Sequence, residues 1–153
     1  MRIALFEPDI AGNVGTILRL GACLGVGVDL IEPMGFPWGD RALRRAGMDY
    51  ADIADARRHA DWAAFRAATA GRIVLATTRG AVGVWDATFR HDDVLLLGSE
   101  SGGVPDAVHA AAALRIAIPM RAGMRSLNVA VAGAMILGEM TRQLRSTSGP
   151  AGG

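Results

Sequence analysis

Short apolar runs alternate along this chain with longer segments in which apolar side chains recur at helical spacing. The runs predict strands at 3–6, 28–31, 73–76, 94–97 and 114–118. The longer segments predict helices at 14–24, 40–46, 61–68, 105–112 and 126–144. Short apolar strands that alternate with helices are typical of parallel sheets buried on both faces. The pattern therefore predicts an α/β fold, a mainly parallel sheet with helices on both faces.

The last predicted helix is apolar on nearly every side over 126–138. A helix of this kind must be buried all round. Ala130, Ala134 and Gly138 follow one another at intervals of four and make a smooth face that another helix could approach closely. Packing inside one chain and an interface between two copies both explain this face, and the sequence leaves the choice open.

The length of 153 residues suits a single domain, which we assign to 1–145, followed by a flexible tail at 146–153. The longest stretch without a charge has 13 residues, too few for the ~18–20 that cross a bilayer. No secretory signal is visible at the start, and the lone Cys23 excludes an internal disulfide framework. We expect a soluble protein of the reducing cytoplasm.

All 16 basic residues are arginine, and the chain has no lysine. This excludes a Walker A phosphate loop, a lysine Schiff base, a kinase-type ATP site and a Ser-x-x-Lys nucleophile, since each needs a lysine. Drift toward arginine codons is the simple explanation, although the planar fork of arginine suits phosphate oxygens and base edges. His59, His91 and His109 do not have ligand spacing, so we expect no metal site.

The net charge of +1 conceals an uneven distribution of charged residues. Five arginines accompany one glutamate over 115–145, and five acidic residues accompany one arginine over 86–106. A second basic cluster consists of Arg41, Arg44, Arg45, Arg57 and Arg58. Solvated faces explain such clusters more often than ligands do, so the arginines alone do not establish nucleic-acid binding.

The turn after the first strand reads Gly12-Asn-Val-Gly-Thr-Ile-Leu-Arg19. Asn13 is predicted to cap the helix that follows, and Gly15 leaves room for another backbone or a ligand. The Gly-x-Gly-x-x-Gly spacing of a dinucleotide-binding turn is missing. A capped helix with Arg19 on its surface is the simpler interpretation of this turn alone.

The turn after the fourth predicted strand reads Gly98-Ser-Glu-Ser-Gly-Gly-Val-Pro105. Its spacing is close to the Gly-x-Ser-x-Gly turn of hydrolases, but Glu100 stands where the nucleophilic serine would be, so that chemistry fails. A carboxylate in a glycine turn can orient a neighbouring arginine or accept a hydrogen bond from a ligand amine. An ordinary loop explains the turn equally well.

The turn before the last helix, 118–128, carries Arg121, Arg125, Ser126 and Asn128. Ser126 or Asn128 is predicted to cap that helix, whose free N–H groups could hold a carboxylate or another electron-rich group. Capping alone would explain both residues. Ligands of open α/β sheets bind beyond the carboxyl ends of the strands, so three such turns in one small sheet together predict a site there.

Three groups of residues resemble, in order and spacing, the motifs of the SPOUT class of S-adenosylmethionine-dependent RNA methyltransferases: Asn13-x-Gly15-x-x-x-Arg19, the run from Gly98 to Pro105, and Ser126-Leu-Asn128. Two further runs are similar to the subfamily of tRNA (cytidine/uridine-34)-2'-O-methyltransferases: Ile31-Glu-Pro-Met-Gly-Phe36 and Leu43-Arg-Arg-Ala-Gly-Met-Asp-Tyr50. The chain departs from the pattern at Gly102, often arginine in relatives, and at Ala11-Gly12, where some have two prolines.

The resemblance implies a C-terminal trefoil knot, S-adenosyl-L-methionine as cofactor, the anticodon stem-loop of tRNA as substrate, and a homodimer with the site near its interface. It implies cofactor contacts at the strand ends and loops, namely Ala76, Thr77, Gly98, Glu100, Gly103, Ile118, Pro119, Met120, Ser126, Leu127 and Asn128. It implies catalytic roles for Arg19, Glu100, Ser126 and Asn128. We expect RNA contacts from Asn13, Arg19, Arg41, Arg44, Arg45, Arg121 and Arg125.

The expected reaction is direct transfer of a sulfonium methyl group to the 2'-oxygen of the wobble ribose, without a metal. A guanidinium keeps its proton at neutral pH, so Arg19 is better suited to orient the ribose and stabilise negative charge than to act as the base. Three alternatives stay open. They are the same chemistry at another tRNA or rRNA position, a flavodoxin-like nucleotide-binding module, and a SPOUT-fold protein that binds RNA without catalysis.

Overall fold

The structure is a computed structural model that describes residues 1–39, 41–46, 48–79 and 82–147. The strands in the described residues are β1 (Arg2–Phe6), β2 (Gly27–Ile31), β3 (Ala56–His59), β4 (Ile73–Ala76), β5 (Val82–Gly83), β6 (Val94–Leu97) and β7 (Leu114–Ala117). The helices are α1 (Ala11–Leu24), α2 (Arg41–Ala46), α3 (Trp62–Ala68), α4 (Asp106–Ala111) and α5 (Val129–Thr147), with a short 3-10 turn at Met48–Tyr50. None of these helices is long and apolar enough to cross a membrane.

The strands form one sheet in the order β3-β2-β1-β6-β4-β7-β5, and every neighbouring pair in it is parallel. β1 lies in its interior, with Ile3 opposite Val28 of β2 on one side and Leu95 of β6 on the other. The predicted parallel sheet is therefore confirmed. The trefoil knot that the resemblance implies stays a prediction.

Both faces of the sheet are buried, because alternate residues of each inner strand enter different apolar clusters. In β1, Ile3 and Leu5 belong to one cluster, whereas Ala4 and Phe6 belong to the other. Helices α1, α2 and α5 contribute buried side chains to the first cluster, and α3 and α4 contribute to the second. This two-sided burial explains why the inner strands are mostly apolar, with exceptions such as Asp29 in β2 and Arg115 in β7.

Two edge strands were not predicted, because neither has an apolar run. β3 reads Ala-Arg-Arg-His, with Arg57 and Arg58 exposed and only His59 buried. It pairs in parallel with β2, and His59 Nε2 lies 2.8 Å from Oδ1 of the buried Asp29. β5 has two residues and pairs with β7 at the opposite edge. Charged and very short edge strands are common because they discourage pairing with other chains.

The helix boundaries differ slightly from the prediction. Asp61 and Pro105 precede α3 and α4 as N-caps, and Asp61 Oδ1 accepts a hydrogen bond of 2.7 Å from the Ala64 N–H. Asp40, the predicted first residue of α2, lies outside the described residues. α5 continues to Thr147, past the predicted domain end at 145, and the rest of the predicted tail, 148–153, is not described.

The prediction that the last helix is buried all round is wrong for a single chain. Ile136 and Met140 are buried, but Val131 is 50% exposed and Met135 is 42% exposed. Ala134 and Gly138, part of the predicted smooth face, lie on the same exposed side, whereas Ala130 is buried. The sheet covers one side of α5, and no described element covers the other.

Candidate active site

A cavity of about 850 Å³ lies at the carboxyl ends of β6, β4 and β7, three neighbours in the sheet. Leu97, Ala76 and Ile116 bring the ends of these strands to its wall, and Ala132 and Ile136 of α5 close another side. The volume falls in the range of roughly 300–1,000 Å³ that is typical of small-molecule sites. The site that the three turns predict thus corresponds to a real cavity.

The loop after β6 is a tight turn that presents Glu100 to the cavity. Ser99 and Gly103 exchange two backbone hydrogen bonds, each of 2.9 Å, which close the turn. A Cβ at Gly98 would lie 2.7 Å from the Gly103 carbonyl carbon, and Gly103 has a φ of +66°. Both glycines are therefore needed for this conformation.

A chain of hydrogen bonds joins the three turns through the side chain of Asn13. Its Nδ2 donates to Glu100 Oε1 at 2.8 Å, and its Oδ1 accepts from Asn128 Nδ2 at 3.0 Å. Asn128 Oδ1 in turn accepts from the N–H groups of Ala130 and Val131 and caps α5, as predicted for Ser126 or Asn128. These hydrogen bonds between one residue of each turn hold the three turns together.

One prediction about these side chains is wrong. Asn13 does not cap α1, because the helix begins at Ala11 with Ile10 as its N-cap, and the Asn13 amide is buried between the loops instead. Among the possibilities left open for Glu100, the described residues show contacts within the protein: Oε2 accepts a 2.8 Å hydrogen bond from the Asp9 N–H, and Oε1 accepts one from Asn13. The carboxylate is fixed in position by the protein itself.

Asp9 holds the far side of the same loop. Its Oδ2 accepts hydrogen bonds from the Ser101 hydroxyl at 2.6 Å and from the Ser101 N–H at 2.9 Å. These two bonds lower the pKa of Asp9 below its usual value. Asp9 therefore stays ionised at neutral pH and ties the end of β1 to the residue that follows Glu100.

Sequence reasoning missed two polar pairs at the cavity. Thr77 Oγ1 lies 3.1 Å from His109 Nε2, and Arg79 Nη2 lies 3.2 Å from Asp106 Oδ1, with all four residues in the cavity wall. In the sequence alone, His109 stands out only as a potential metal ligand. The signal that could have found it is the interval of three between Asp106 and His109 on α4, which puts both on one helix face.

Most of the predicted cofactor residues line the cavity, namely Ala76, Thr77, Gly98, Glu100, Gly103, Ile118, Met120, Ser126, Leu127 and Asn128. Pro119 does not line it. Of the predicted catalytic residues, Glu100, Ser126 and Asn128 are in the wall, but Arg19 is not. Arg19 is exposed on α1, with its guanidinium carbon 5.0 Å from the centroid of the Tyr50 ring.

The arginines of the two basic regions, 41–58 and 115–145, differ in whether acidic residues neutralise them. Arg57, Arg58 and Arg142 form ion pairs with Asp55, Glu32 and Glu139. Among the described side chains, no carboxylate pairs with a second set, which is exposed: Arg41, Arg44, Arg45, Arg121 and Arg125. The second set leaves its charges available to a partner.

Ile118, Leu127 and Ile136 contribute apolar side chains to the cavity wall, and Thr77 and Ser126 contribute hydroxyl groups. No three His, Cys, Asp or Glu side chains in the described parts of the chain are arranged to hold a metal ion. The arrangement suits the binding and orientation of a nucleoside-like molecule.

Known proteins resemble this chain over nearly its whole length. A protein of Ancylobacter novellus named tRNA (cytidine(34)-2'-O)-methyltransferase is 59% identical, and the match covers 94% of this chain and 92% of that protein. A solved structure on the 2-OH methylation of C/U34 on tRNA has a TM-score of 0.89 and 39% identity, and it covers 95% of this chain and 96% of that one.

An AdoMet-bound rRNA methyltransferase from Sinorhizobium meliloti superposes with a TM-score of 0.82 at 29% identity. That match covers 94% of this chain and 56% of the larger one. The profile of the SpoU rRNA Methylase family matches residues 1–138. With a family match over most of its length and relatives of such identity, the chain belongs to the SpoU rRNA Methylase family.

Proposed function

We propose that the chain transfers a methyl group from S-adenosyl-L-methionine to the ribose 2'-hydroxyl of nucleotide 34 of tRNA, a cytidine or uridine, in the cytoplasm. The observation that carries the proposal is the meeting of the three turns at one cavity through Asn13, Glu100 and Asn128. Support for the substrate comes from relatives named tRNA (cytidine(34)-2'-O)-methyltransferase, at up to 59% identity among those compared.

The residues of the cavity fit this cofactor. Ile118, Leu127 and Ile136 offer apolar surfaces for an adenine ring, and Thr77 and Ser126 offer hydroxyl groups for its polar parts. When bound, the cofactor supplies a methyl group that its positively charged sulfur has already activated. The protein therefore has to bind it, exclude water and position the acceptor oxygen.

Arg19 orients the ribose and stabilises the negative charge that develops on the 2'-oxygen. A guanidinium offers five N–H donors and no acceptor, so Arg19 does not take the 2'-hydroxyl proton. That proton leaves to a nearby phosphate or to water. Arg19 lies outside the cavity wall of a single chain, so the complete site forms only when substrate and a second chain are present.

A homodimer is supported by the exposed side of α5, where Val131, Ala134, Met135 and Gly138 recur at helical spacing. Small residues among larger apolar ones allow two helices to approach closely. α5 also forms a wall of the cavity through Ala132 and Ile136, so pairing on α5 puts the cavity close to the interface.

The exposed arginines that pair with no described carboxylate are suited to the phosphate backbone of the tRNA. Arg121 and Arg125 lie in the loop that begins at the cavity, and Arg41, Arg44 and Arg45 lie on or beside α2. The anticodon loop is a suitable target because its riboses and base edges are not buried in a duplex.

The direct test is incubation of the chain with labelled S-adenosylmethionine and tRNA that is unmodified at position 34, followed by nucleoside mapping. We expect a 2'-O-methyl nucleoside at position 34. Arg19→Ala should bind the cofactor normally but transfer the methyl group about 100-fold more slowly, the usual loss for one donor to a developing oxyanion. Arg66→Ala, which removes an exposed arginine on α3, is the matched control.

Other outcomes identify the alternatives. Methylation at another position of tRNA or rRNA would support the proposed methyl transfer but contradict nucleotide 34 as its target. Nucleotide binding without transfer would favour a binding module, and RNA binding without transfer would favour a non-catalytic relative. An Arg19→Ala variant as fast as wild type would remove Arg19 from the mechanism.

A further inference from the structure

Arg19 rests against an aromatic ring rather than an acidic group. Its guanidinium carbon is 5.0 Å from the centroid of the Tyr50 ring, and its Nη2 is 3.5 Å from the Tyr50 hydroxyl oxygen. An arginine within about 6 Å of an aromatic centroid is attracted to the negative face of the ring. The hydroxyl adds a long hydrogen bond at the ring perimeter.

Tyr50 is itself held firmly. It ends the 3-10 turn that follows α2, and its ring is partly buried against the main apolar cluster. Its carbonyl accepts a 2.8 Å hydrogen bond from the Ala54 N–H, and the Ala51 carbonyl accepts a 2.9 Å bond from the Ala56 N–H. The ring is thus a fixed support on which a long, flexible side chain can rest.

This contact leaves the charge of Arg19 available. Arg2 and Arg72 are each neutralised by carboxylates at 2.6 Å, whereas no carboxylate in the described ranges pairs with Arg19. A ring face attracts a cation without occupying its N–H donors. Among the described residues only the Nη2 donor of Arg19 has a hydrogen-bond partner, so donors are left for a ribose oxygen or a phosphate. An ion pair would have fixed the side chain at the expense of those donors.

We propose that Tyr50 is a positioning residue that holds the Arg19 guanidinium in a reactive orientation without neutralising it. This inference rests on the proposed function, because it concerns the rate of the same methyl transfer. The Tyr50 ring limits the rotamers of Arg19 before the RNA binds. Less side-chain entropy is therefore lost when Arg19 is ordered in the transition state.

The test compares single-turnover methylation of position 34 by variants at Tyr50. Tyr50→Leu keeps an apolar side chain but has no ring. We expect the methyl-transfer rate to fall about three- to thirtyfold, which is the range that cation–π contacts cover between exposed and desolvated sites. Tyr50→Phe and Tyr50→Trp keep a ring and should stay within about twofold of wild type. The cofactor dissociation constant should be unchanged in all three variants.

The double variant separates positioning from a structural role. In the Arg19→Ala background, Tyr50→Leu should have no further effect on the rate, since the side chain that it positions is gone. Two results would overturn the inference, provided that the wild type methylates position 34. One is an equal loss of methyl-transfer rate from Tyr50→Leu in both backgrounds, and the other is a wild-type rate in the Tyr50→Leu variant. A wild-type chain that leaves position 34 unmodified would instead overturn the proposed function, and this inference with it.

Discussion

Asn13 needs an amide, because its side chain has to donate to one neighbour and accept from another. It donates to Glu100 and accepts from Asn128, as only an amide of this size can do. An aspartate at this position would put a second carboxylate against Glu100. Every buried side-chain N or O atom in the described residues has a partner. Removing the Asn13 amide would leave its buried hydrogen-bonding partners unpaired, at a cost of about 1–3 kcal/mol each.

The role of Asn13 could not be predicted from its neighbours in the sequence. Its two partners lie 87 and 115 residues away, and local spacing favours a cap. The polar residue types at each strand end were enough to predict where the site lies, because ends of parallel strands meet at one edge. Which polar atoms pair there depends on loop conformations that only the folded chain defines.

Glu139 provides a prediction on pH at the level of one residue. Hydrogen bonds from Arg142, at 2.7 and 2.8 Å, and from Gln143 lower the pKa of Glu139 from 4.5 to about 2. The folded state thus binds the proton more weakly than the unfolded state. The resulting stability is present above pH 4.5 and is lost as the pH falls toward about 2.

Glu139→Gln should therefore be less stable than wild type at pH 7, and the difference should shrink between pH 4.5 and about 2. Denaturant unfolding at a series of pH values measures this. In an Arg142→Ala background the difference should be smaller at every pH, since the main cause of the shift is gone. A difference between wild type and Glu139→Gln that does not change with pH would contradict this account of the contact.

At the scale of elements, the packing of α1 against α2 depends on the absence of a side chain at Gly15. A Cβ there would lie 2.4 Å from the Ala46 Cβ and 2.7 Å from the Ala46 carbonyl carbon. Because one of these atoms is backbone, the contact cannot be relieved by a rotamer change. α2 carries Arg41, Arg44 and Arg45, and Tyr50 follows it, so this contact also sets where these residues lie.

Gly15→Ala should destabilise the fold by about 1–3 kcal/mol, the usual cost of overpacking. Gly12→Ala is the matched control, because a Cβ at Gly12 has nothing within 4 Å in the same helix. That change should stabilise α1 by about 0.5–1 kcal/mol. Denaturant unfolding of both variants measures the two effects, and equal stabilities would contradict the close packing.

The inner strands could be predicted to within about one residue, whereas the edges could not. An inner strand has to be apolar on both faces, so its composition identifies it. β3 needs only His59 for burial, and its two arginines contact solvent, so nothing in its pattern distinguishes it from a loop. The prediction of α5 identified the helix but not its exposed side, because an apolar pattern does not reveal which neighbours are in the same chain.

At the scale of the whole molecule, the exposed side of α5 predicts the oligomeric state. Val131→Arg puts a charge where the second copy would pack, but Val131 is 50% exposed, so one chain can still fold around it. We expect the wild type to have a mass near twice 15.9 kDa by light scattering, and we expect the variant to be monomeric and to have lost methyl transfer. Ile53→Arg, at a residue that is 69% exposed outside α5, should remain dimeric and active. A dimeric Val131→Arg chain would rule out this interface.

The interior position of β1 has a consequence for how the chain is made. β1 is synthesised before the other described strands, yet it pairs on one side with β6, whose residues follow only at 94–97. Until β6 has been made, the nascent chain therefore carries the unpaired edge of a mostly apolar strand, the kind of surface that promotes aggregation. Because β1 must wait for β6 as its pairing partner, we expect ribosome-associated chaperones to bind the incomplete chain.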